Sequence, residues 1–195
     1  MSKRMLHLWI RSEQRKNEKR VGITPQDASK LIGNGIKVTV EESADRIIST
    51  EEYHKLGCKI ADQHSWPRAP KDAIILGLKE LSEDVEILEH KHIMFGHAFK
   101  GQTAGLELLK KFKVGNGVLY DLEYLTDPEG RRLAAFGYWA GYAGAAVSLK
   151  AYADQQNTKG ICGPVSVFEN KEKMADYIRN AFVNVENKFP KILVA

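Results

Sequence analysis

Only two cysteines, Cys58 and Cys162, stand in the 195 residues. They form no C-x-x-C pair and have no second pair nearby, which excludes a disulfide framework and argues against a zinc-type site. Two free thiols and no bound metal are expected. No apolar run approaches the ~20 residues that cross a bilayer, so no membrane span is expected. The start carries Lys3 and Arg4, but the apolar stretch behind them, Leu6 to Ile10, is too short for a secretory leader. A cytoplasmic protein is the reading. The chain lacks internal repeats and low-complexity tracts. It also lacks G-x-G-x-x-G between a strand and a helix, the phosphate-cradling loop of dinucleotide sites. The net charge of +4 is spread along the sequence rather than clustered with aromatics, so a nucleic-acid surface is not indicated. A mild positive excess does suit a small ligand with several carboxylates.

What remains is an ordinary soluble composition, 43% hydrophobic and 28% charged, long enough for one full domain and an appendage. Strand and helix patterns alternate. Leu6 to Ile10 reads as a strand. Thr24 caps a helix that opens on Pro25, runs through Ala28, Leu31 and Ile32, and stops at Gly33-Asn34-Gly35. Lys37 to Glu41 is a second strand, and Ser49 or Thr50 caps a short helix ending at Gly57. Ala73 to Leu78 and His92 to Gly96 are apolar runs of the kind buried on both faces of a parallel sheet. Thr103 to Phe112 reads as a helix and Gly117 to Leu122 as a strand. The fold class is α/β: a parallel sheet flanked by helices, Rossmann- or flavodoxin-like, followed by further helices. Ala134 to Gln156 is rich in Ala, Gly and aromatics and reads as a helix packed tightly on another element. Asn157 to Val167 reads as a loop, Phe168 to Asn187 as a helix, and Ile192-Leu193-Val194 as the start of another strand.

Ligands of parallel sheets bind beyond the carboxyl ends of the strands. The residues there are Arg15, Glu18 and Arg20 after the first strand, Lys79 and Glu80 after the third, His97 and Lys100 after the fourth, and Asp121 and Glu123 at the fifth. Such a set suits carboxylate binding and proton transfer. The plainer alternative is that charged residues after strands are solvated, and Glu80 has basic neighbours to pair with. His90 and His92 have no third ligand at metal spacing. Tyr138, Trp139 and Tyr142 read as helix packing.

The run Arg15-x-x-Glu18-x-Arg20-Val21-Gly22-Ile23-Thr24-Pro25 resembles the opening of the alanine dehydrogenase and saccharopine dehydrogenase superfamily. Four further segments are similar to its lysine-forming, NAD-dependent saccharopine dehydrogenase family. These are Gly77 to Glu80, Phe95 to Gln102, Leu119 to Leu125, and Gly130-Arg131-Arg132 with Ala135 to Tyr138. The resemblance runs from about Leu6 to Tyr152 and resumes at Lys191 to Val194.

It implies an enzyme that oxidises saccharopine with NAD and hydrolyses the imine to lysine and 2-oxoglutarate. Lys79 would take the amine proton and His97 would serve imine hydration and breakdown. Glu80 and Glu123 would tune them, Arg20 would bind a substrate carboxylate, Arg132 with its neighbour Arg131 would face a carboxylate or the cofactor, and Arg15 and Glu18 match positions in the family's first loop. Residues 1–133 would be the substrate domain, 134–188 the interdomain helices and loop, and 189–195 the start of a truncated dinucleotide domain. NAD would belong to the full-length enzyme and not to this chain, which is expected to be a fragment inactive alone. An uncovered stretch from Phe136 to Ala146 would favour self-association. Two alternatives stand: a non-catalytic amino-acid or keto-acid binding module, which the missing glycine loop favours, and an alanine dehydrogenase-like enzyme, which Asp121-Leu122-Glu123 argues against.

Overall fold

The computed structural model describes residues 5–158, 160–185 and 190–191. They fall into two compact units, residues 1–134 and 135–195. In the first unit β1 (His7–Ile10), β2 (Lys37–Glu41), β3 (Lys59–Ala61), β4 (Ile74–Leu76), β5 (Lys91–Met94) and β6 (Val118–Asp121) form one sheet. The order is β3-β2-β1-β4-β5-β6, every neighbouring pair parallel. This is the Rossmann order rather than the flavodoxin one. The chain winds away from β1 to one side, then returns to lay β4 on β1's other side. The loops leaving β1 and β4 therefore part and open a crevice between them.

Helix α1 (Pro25–Gly33) links β1 to β2. It begins where expected: Thr24 accepts from the Asp27 amide at 3.2 Å, and Pro25 needs no amide partner at the first position. Helix α2 (Thr50–Lys55) follows β2, but Ser49 at its cap makes no side-chain capping bond. Helix α3 (Thr103–Gly115) links β5 to β6. The expected alternation fails twice. β3, absent from the expected strands, is three residues long, too short to show a period. No helix joins β4 to β5: residues 77–90 run irregularly, and only a single 3-10 turn, Trp66–Arg68, precedes β4.

Side chains alternate across the strands and build a core on each face. Leu8, Ile10, Val38, Val40, Leu76 and Ile93 pack with Ala28, Leu31 and Tyr53 beneath α1 and α2. Trp9, Ile75 and Leu119 pack on the other face with Trp66, Leu88, Leu108 and Phe112. The second face is polar over β1 and β2. His7 Nε2 meets Thr39 Oγ1 at 2.8 Å. Glu41, wholly buried, accepts from Trp9 Nε1 (3.0 Å), from the Ser12 amide and hydroxyl (2.8 and 2.9 Å), and from the amides of His64 (3.0 Å) and Trp66 (2.5 Å). One carboxylate thus ties β2 to the ends of β1 and β3. His90 Nε2 meets the Ala69 carbonyl at 3.1 Å.

In the second unit α4 (Gly137–Thr158) packs on α5 (Lys171–Ala181). Asn170 caps α5 by accepting from the Lys173 amide at 2.9 Å, which starts the helix later than Phe168. Tyr152 stacks on Phe182, and Phe168 lies against Tyr177. The tight neighbour expected for the small residues of α4 is not found among the described residues: nothing lies within 4 Å of where a Cβ would stand on Gly137, Gly141 or Gly144. Tyr138 and Trp139 touch each other and Trp139 touches Tyr142, yet Tyr138 and Trp139 remain exposed. The strand expected over Ile192-Leu193-Val194, the end of the helix expected to reach Asn187, and most of 189–195 lie outside the described residues.

Replacing Glu41 with Ala strands five donors in the interior. A loss of about 3–5 kcal/mol in urea or guanidinium unfolding is expected, as when one side of a buried polar network is removed. A loss under about 1 kcal/mol would show that the donors find other partners.

His92 lies edge-on to Trp66 (5.0 Å) and Phe112 (5.4 Å), and its Nε2 is buried with no hydrogen-bond partner among the described residues. Burial, then Arg11 and His90, push its pKa down from 6.5 to about 3. The unfolded chain therefore binds a proton more readily than the native one. This contribution to stability is complete above the unfolded pKa of 6.5 and drains away as the pH falls toward 3, at roughly 1.4 kcal/mol per pH unit. His92→Phe keeps the aromatic packing and removes the proton site, so its stability should fall less steeply through that window. Parallel curves for both proteins would defeat this account.

Candidate active site

The carboxyl edge of the sheet is held by buried charge at the β1–β4 crevice. The β1 pairing continues one residue, with the Arg11 amide donating to the Leu76 carbonyl at 3.0 Å. The Arg11 side chain then turns inward and is fully buried. Its guanidinium meets Glu13 at 3.3 Å and donates to the Ser12 carbonyl (3.2 Å) and to the Lys79 carbonyl. It lies flat on Gly77, where any Cβ would collide with it. Glu13 in turn accepts from the amides of Leu78 (2.6 Å) and Lys79 (3.0 Å). Burial pushes the Arg11 pKa down, although Glu13 and Glu41 oppose this.

Glu18 and Arg20 line the same crevice. They form a fork, Nε to Oε1 at 2.8 Å and Nη2 to Oε2 at 2.6 Å, with the Arg20 amide also donating to Oε1 at 3.0 Å. The Glu18 side chain is 6% exposed and that of Arg20 46%. Hydrogen bonding to Arg20 holds the Glu18 carboxyl below the usual range, and Lys79 is close enough to add to that lowering. The same pairing raises the Arg20 pKa. Arg15 meets Glu80 at 3.3 Å on the exposed side of the loop.

The second group follows β5 and β6. Sheet pairing runs past the strand ends: the Gly77 amide donates to Ile93 at 3.0 Å and the Phe95 amide to Leu78 at 3.2 Å. The loops carrying Lys79 and His97 therefore leave the sheet side by side. His97 has φ +48°, a left-handed conformation uncommon for a residue with a Cβ. The turn after it brings Lys100 Nζ to 3.4 Å from His97 Nδ1. Glu123 gathers Lys100 (2.9 Å), His97 (3.4 Å) and Arg132 (3.4 Å). Its carboxyl pKa is lowered, first by the Lys100 hydrogen bond, then by the charges of Arg132, Lys100 and His97. Asp121 anchors this group from below, one oxygen accepting from the amides of Gly96 (3.1 Å) and Glu123 (3.0 Å).

Of the residues expected from sequence, Glu18 and Arg20 meet at the crevice, with Lys79 within electrostatic reach of Glu18. His97, Glu123 and Arg132 meet beside it, with Lys100. Arg15 and Glu80 form an outer pair. Arg131 does not join them: it braces its own turn, paired with Asp127 at 2.9 Å and Glu129 at 3.6 Å. Asp121, expected at the rim, serves as a support; Arg11 and Glu13 are supports to which the sequence assigns no role. Their one sequence signal is position, immediately after a strand.

No described group of three or more His, Cys, Asp or Glu residues could hold a metal ion. A dinucleotide does not fit the helix starts either. The first turn of α1 carries Asp27, and its cap is taken by Thr24; α3 opens on Gln102 and Thr103. Neither follows a glycine loop, so no pyrophosphate cradle is built by these residues. No described helix is long and apolar enough to cross a membrane.

Fold and rim together define an α/β domain of Rossmann strand order whose carboxyl edge carries ion-paired Arg, Lys and His side chains. Residues 9–143 match the family model for the alanine dehydrogenase/PNT N-terminal domain, and the chain belongs to that family. It is 42% identical over 194 residues to a saccharopine dehydrogenase [NAD(+), L-lysine-forming] of Schizosaccharomyces pombe, covering 96% of this chain and 53% of that one. A protein of the same description from Yarrowia lipolytica is 40% identical, covering 96% and 52%. The chain thus spans about half the length of these curated relatives. Among solved structures, an L-alanine dehydrogenase superposes with a TM-score of 0.62 at 17% identity, over 80% of this chain and 43% of that one, a likeness of fold.

Proposed function

We propose that this chain is the substrate-binding half of an NAD-dependent, lysine-forming saccharopine dehydrogenase. The observation that carries the reading is the placement of Lys79 and His97. They leave hydrogen-bonded neighbouring strands side by side, Lys79 near Glu18 and His97 beside Glu123. On this reading residues 1–133 bind substrate and 134–188 connect to the NAD-binding part, which we assign to the stretch of the relatives that this chain does not span. A cytoplasmic setting suits its two free thiols.

Saccharopine has three carboxylates and a secondary amine. NAD would accept the hydride when bound. The roles left to this chain are binding and proton transfer. Lys79 takes the proton of the secondary amine. His97 then accepts a proton from the water that adds to the imine carbon, returns it to the nitrogen of the carbinolamine, and, neutral again, takes the carbinol hydroxyl proton as the C–N bond breaks, the lysine departs and the 2-oxoglutarate carbonyl forms. Glu123 stabilises the imidazolium formed between those steps, and Glu80 adds negative potential beyond Lys79. Arg20 and Arg132 face the substrate carboxylates, for which a planar guanidinium offers paired donors. Glu18 aligns Arg20, Arg15 extends the basic rim, and Arg131 holds the turn that presents Arg132. A second reading, a binding module without catalysis, draws on the missing glycine loop, and it leaves Lys79 and His97 without a role.

Calorimetric titration of the chain with saccharopine tests the binding role. Saturable binding is expected, weakened roughly 10- to 100-fold by Arg20→Ala, the scale of a lost charge-assisted hydrogen bond. A chain that is folded by circular dichroism yet takes up no saccharopine would refute the assignment. We also propose that the exposed Phe136, Tyr138 and Trp139 favour pairing with a second copy of the chain. Light scattering should show a dimer that Trp139→Glu dissociates; a monomer at high concentration would dismiss it.

A further inference from the structure

Glu13 has no part in the chemistry proposed above, yet it is bound more tightly than most residues that do. Its carboxylate is 9% exposed. One oxygen accepts from the Leu78 amide at 2.6 Å and the other from the Lys79 amide at 3.0 Å. The Arg11 guanidinium, 1% exposed, lies 3.3 Å from the second oxygen. That guanidinium also donates to the Lys79 carbonyl. Both polar groups of the Lys79 backbone are thus gripped by one buried ion pair from the loop after β1. The peptide amide of Leu78 is gripped as well.

These bonds are needed because of where Lys79 stands. β4 ends at Leu76, and no helix follows it. The Gly77 amide still pairs with Ile93, but the amides of Leu78 and Lys79 beyond it have neither strand nor helix partners, and a buried amide left unpaired is costly. A carboxylate suits this position because its two oxygens accept side by side and donate nothing. Gly77 completes the fit, since only a residue without Cβ lets the Arg11 guanidinium lie against the chain there.

We propose that Glu13, aligned by Arg11, is a positioning residue that fixes the Leu78–Lys79 backbone and so sets where the Lys79 ammonium stands. The positioning matters to catalysis only under the functional reading given above; the clamp itself does not depend on it. Glu13→Gln distinguishes the clamp from mere packing, because the side chain keeps its shape and loses one acceptor. Its amide nitrogen would face a backbone N–H, donor against donor.

The experiment is amide exchange followed by NMR on the full chain, beside saccharopine calorimetry. In Glu13→Gln the Leu78 and Lys79 amides should exchange at least tenfold faster, while the strand amides of Val38 and Ile75 keep their rates. Saccharopine affinity should fall at least fivefold. Unchanged protection at both amides overturns the clamp. Faster exchange with undiminished affinity overturns the positioning role. Should the variant lose its fold, the unaltered chain decides: scalar couplings across the hydrogen bonds, from the Leu78 and Lys79 amide nitrogens to the Glu13 carboxylate carbon, should be detectable, and their absence overturns the proposal. Failure of the unaltered chain to bind saccharopine, with those couplings present, removes the functional reading and with it the catalytic meaning of the position.

Discussion

Backbone amides at the carboxyl edge of a parallel sheet set the main constraint on this molecule. Where a strand ends inside the protein, the chain must turn with its N–H groups away from water, and each needs an acceptor. Helices would supply one through their own bonding, but the loops after β1, β3 and β4 begin without a helix. Carboxylates take their place. Glu41 accepts from the amides of Ser12, His64 and Trp66, Glu13 from those of Leu78 and Lys79, and Asp121 from those of Gly96 and Glu123. Three acidic residues thereby fix the loops that carry the rest of the rim. An amide in place of Glu41 or Glu13, where both oxygens accept, would present a donor to a donor.

Much of this is legible in the sequence, and the limits have a physical cause. The runs at Ala73 to Leu78 and His92 to Gly96 announce strands because a strand buried on both faces must be apolar almost throughout. Thr24-Pro25 announces α1 because capping is local. The rim residues follow from the rule that ligands meet strand ends. β3 does not, since Lys59-Ile60-Ala61 is too short to show alternation and takes its place through pairing with β2. Nor do the roles of Glu13 and Glu41. A carboxylate that grips backbone amides has partners up to 66 residues away and follows no period. In sequence it looks like any solvated acid. Arg131 shows the reverse: a side chain chosen for its neighbour is held by a turn that only the fold reveals.

The charges of the rim are arranged unevenly, and the unevenness bears on how a ligand could enter. The anionic partners are the sheltered ones: Glu18 is 6% exposed and Glu123 11%. Their basic partners stand farther out, Arg20 at 46%, His97 at 45%, Lys100 at 44% and Arg132 at 43%. Sheltered carboxylates with lowered pKa keep their charge, so they stay as fixed counter-ions. The cations keep much of their hydration and can turn. A ligand carboxylate arriving from solvent then meets guanidinium and ammonium groups already aligned, and needs to displace only their outer water. It does not have to draw a buried cation from its partner, which would cost several kcal/mol.

The same arrangement limits what can bind. Each sheltered carboxylate repels a second anion that comes too near, so under the proposed function a ligand carboxylate would be accepted at the outer face of Arg20 or Arg132 and rejected beside Glu18 or Glu123. A cationic group is treated the opposite way and is attracted toward Glu18 and Glu123. Under the proposed function, a molecule with carboxylates at its ends and an amine between them would satisfy both demands at once, and a simple dicarboxylate only the first. The rim would then order a ligand by the alternation of its charges, above backbone clamps that hold the loops in place.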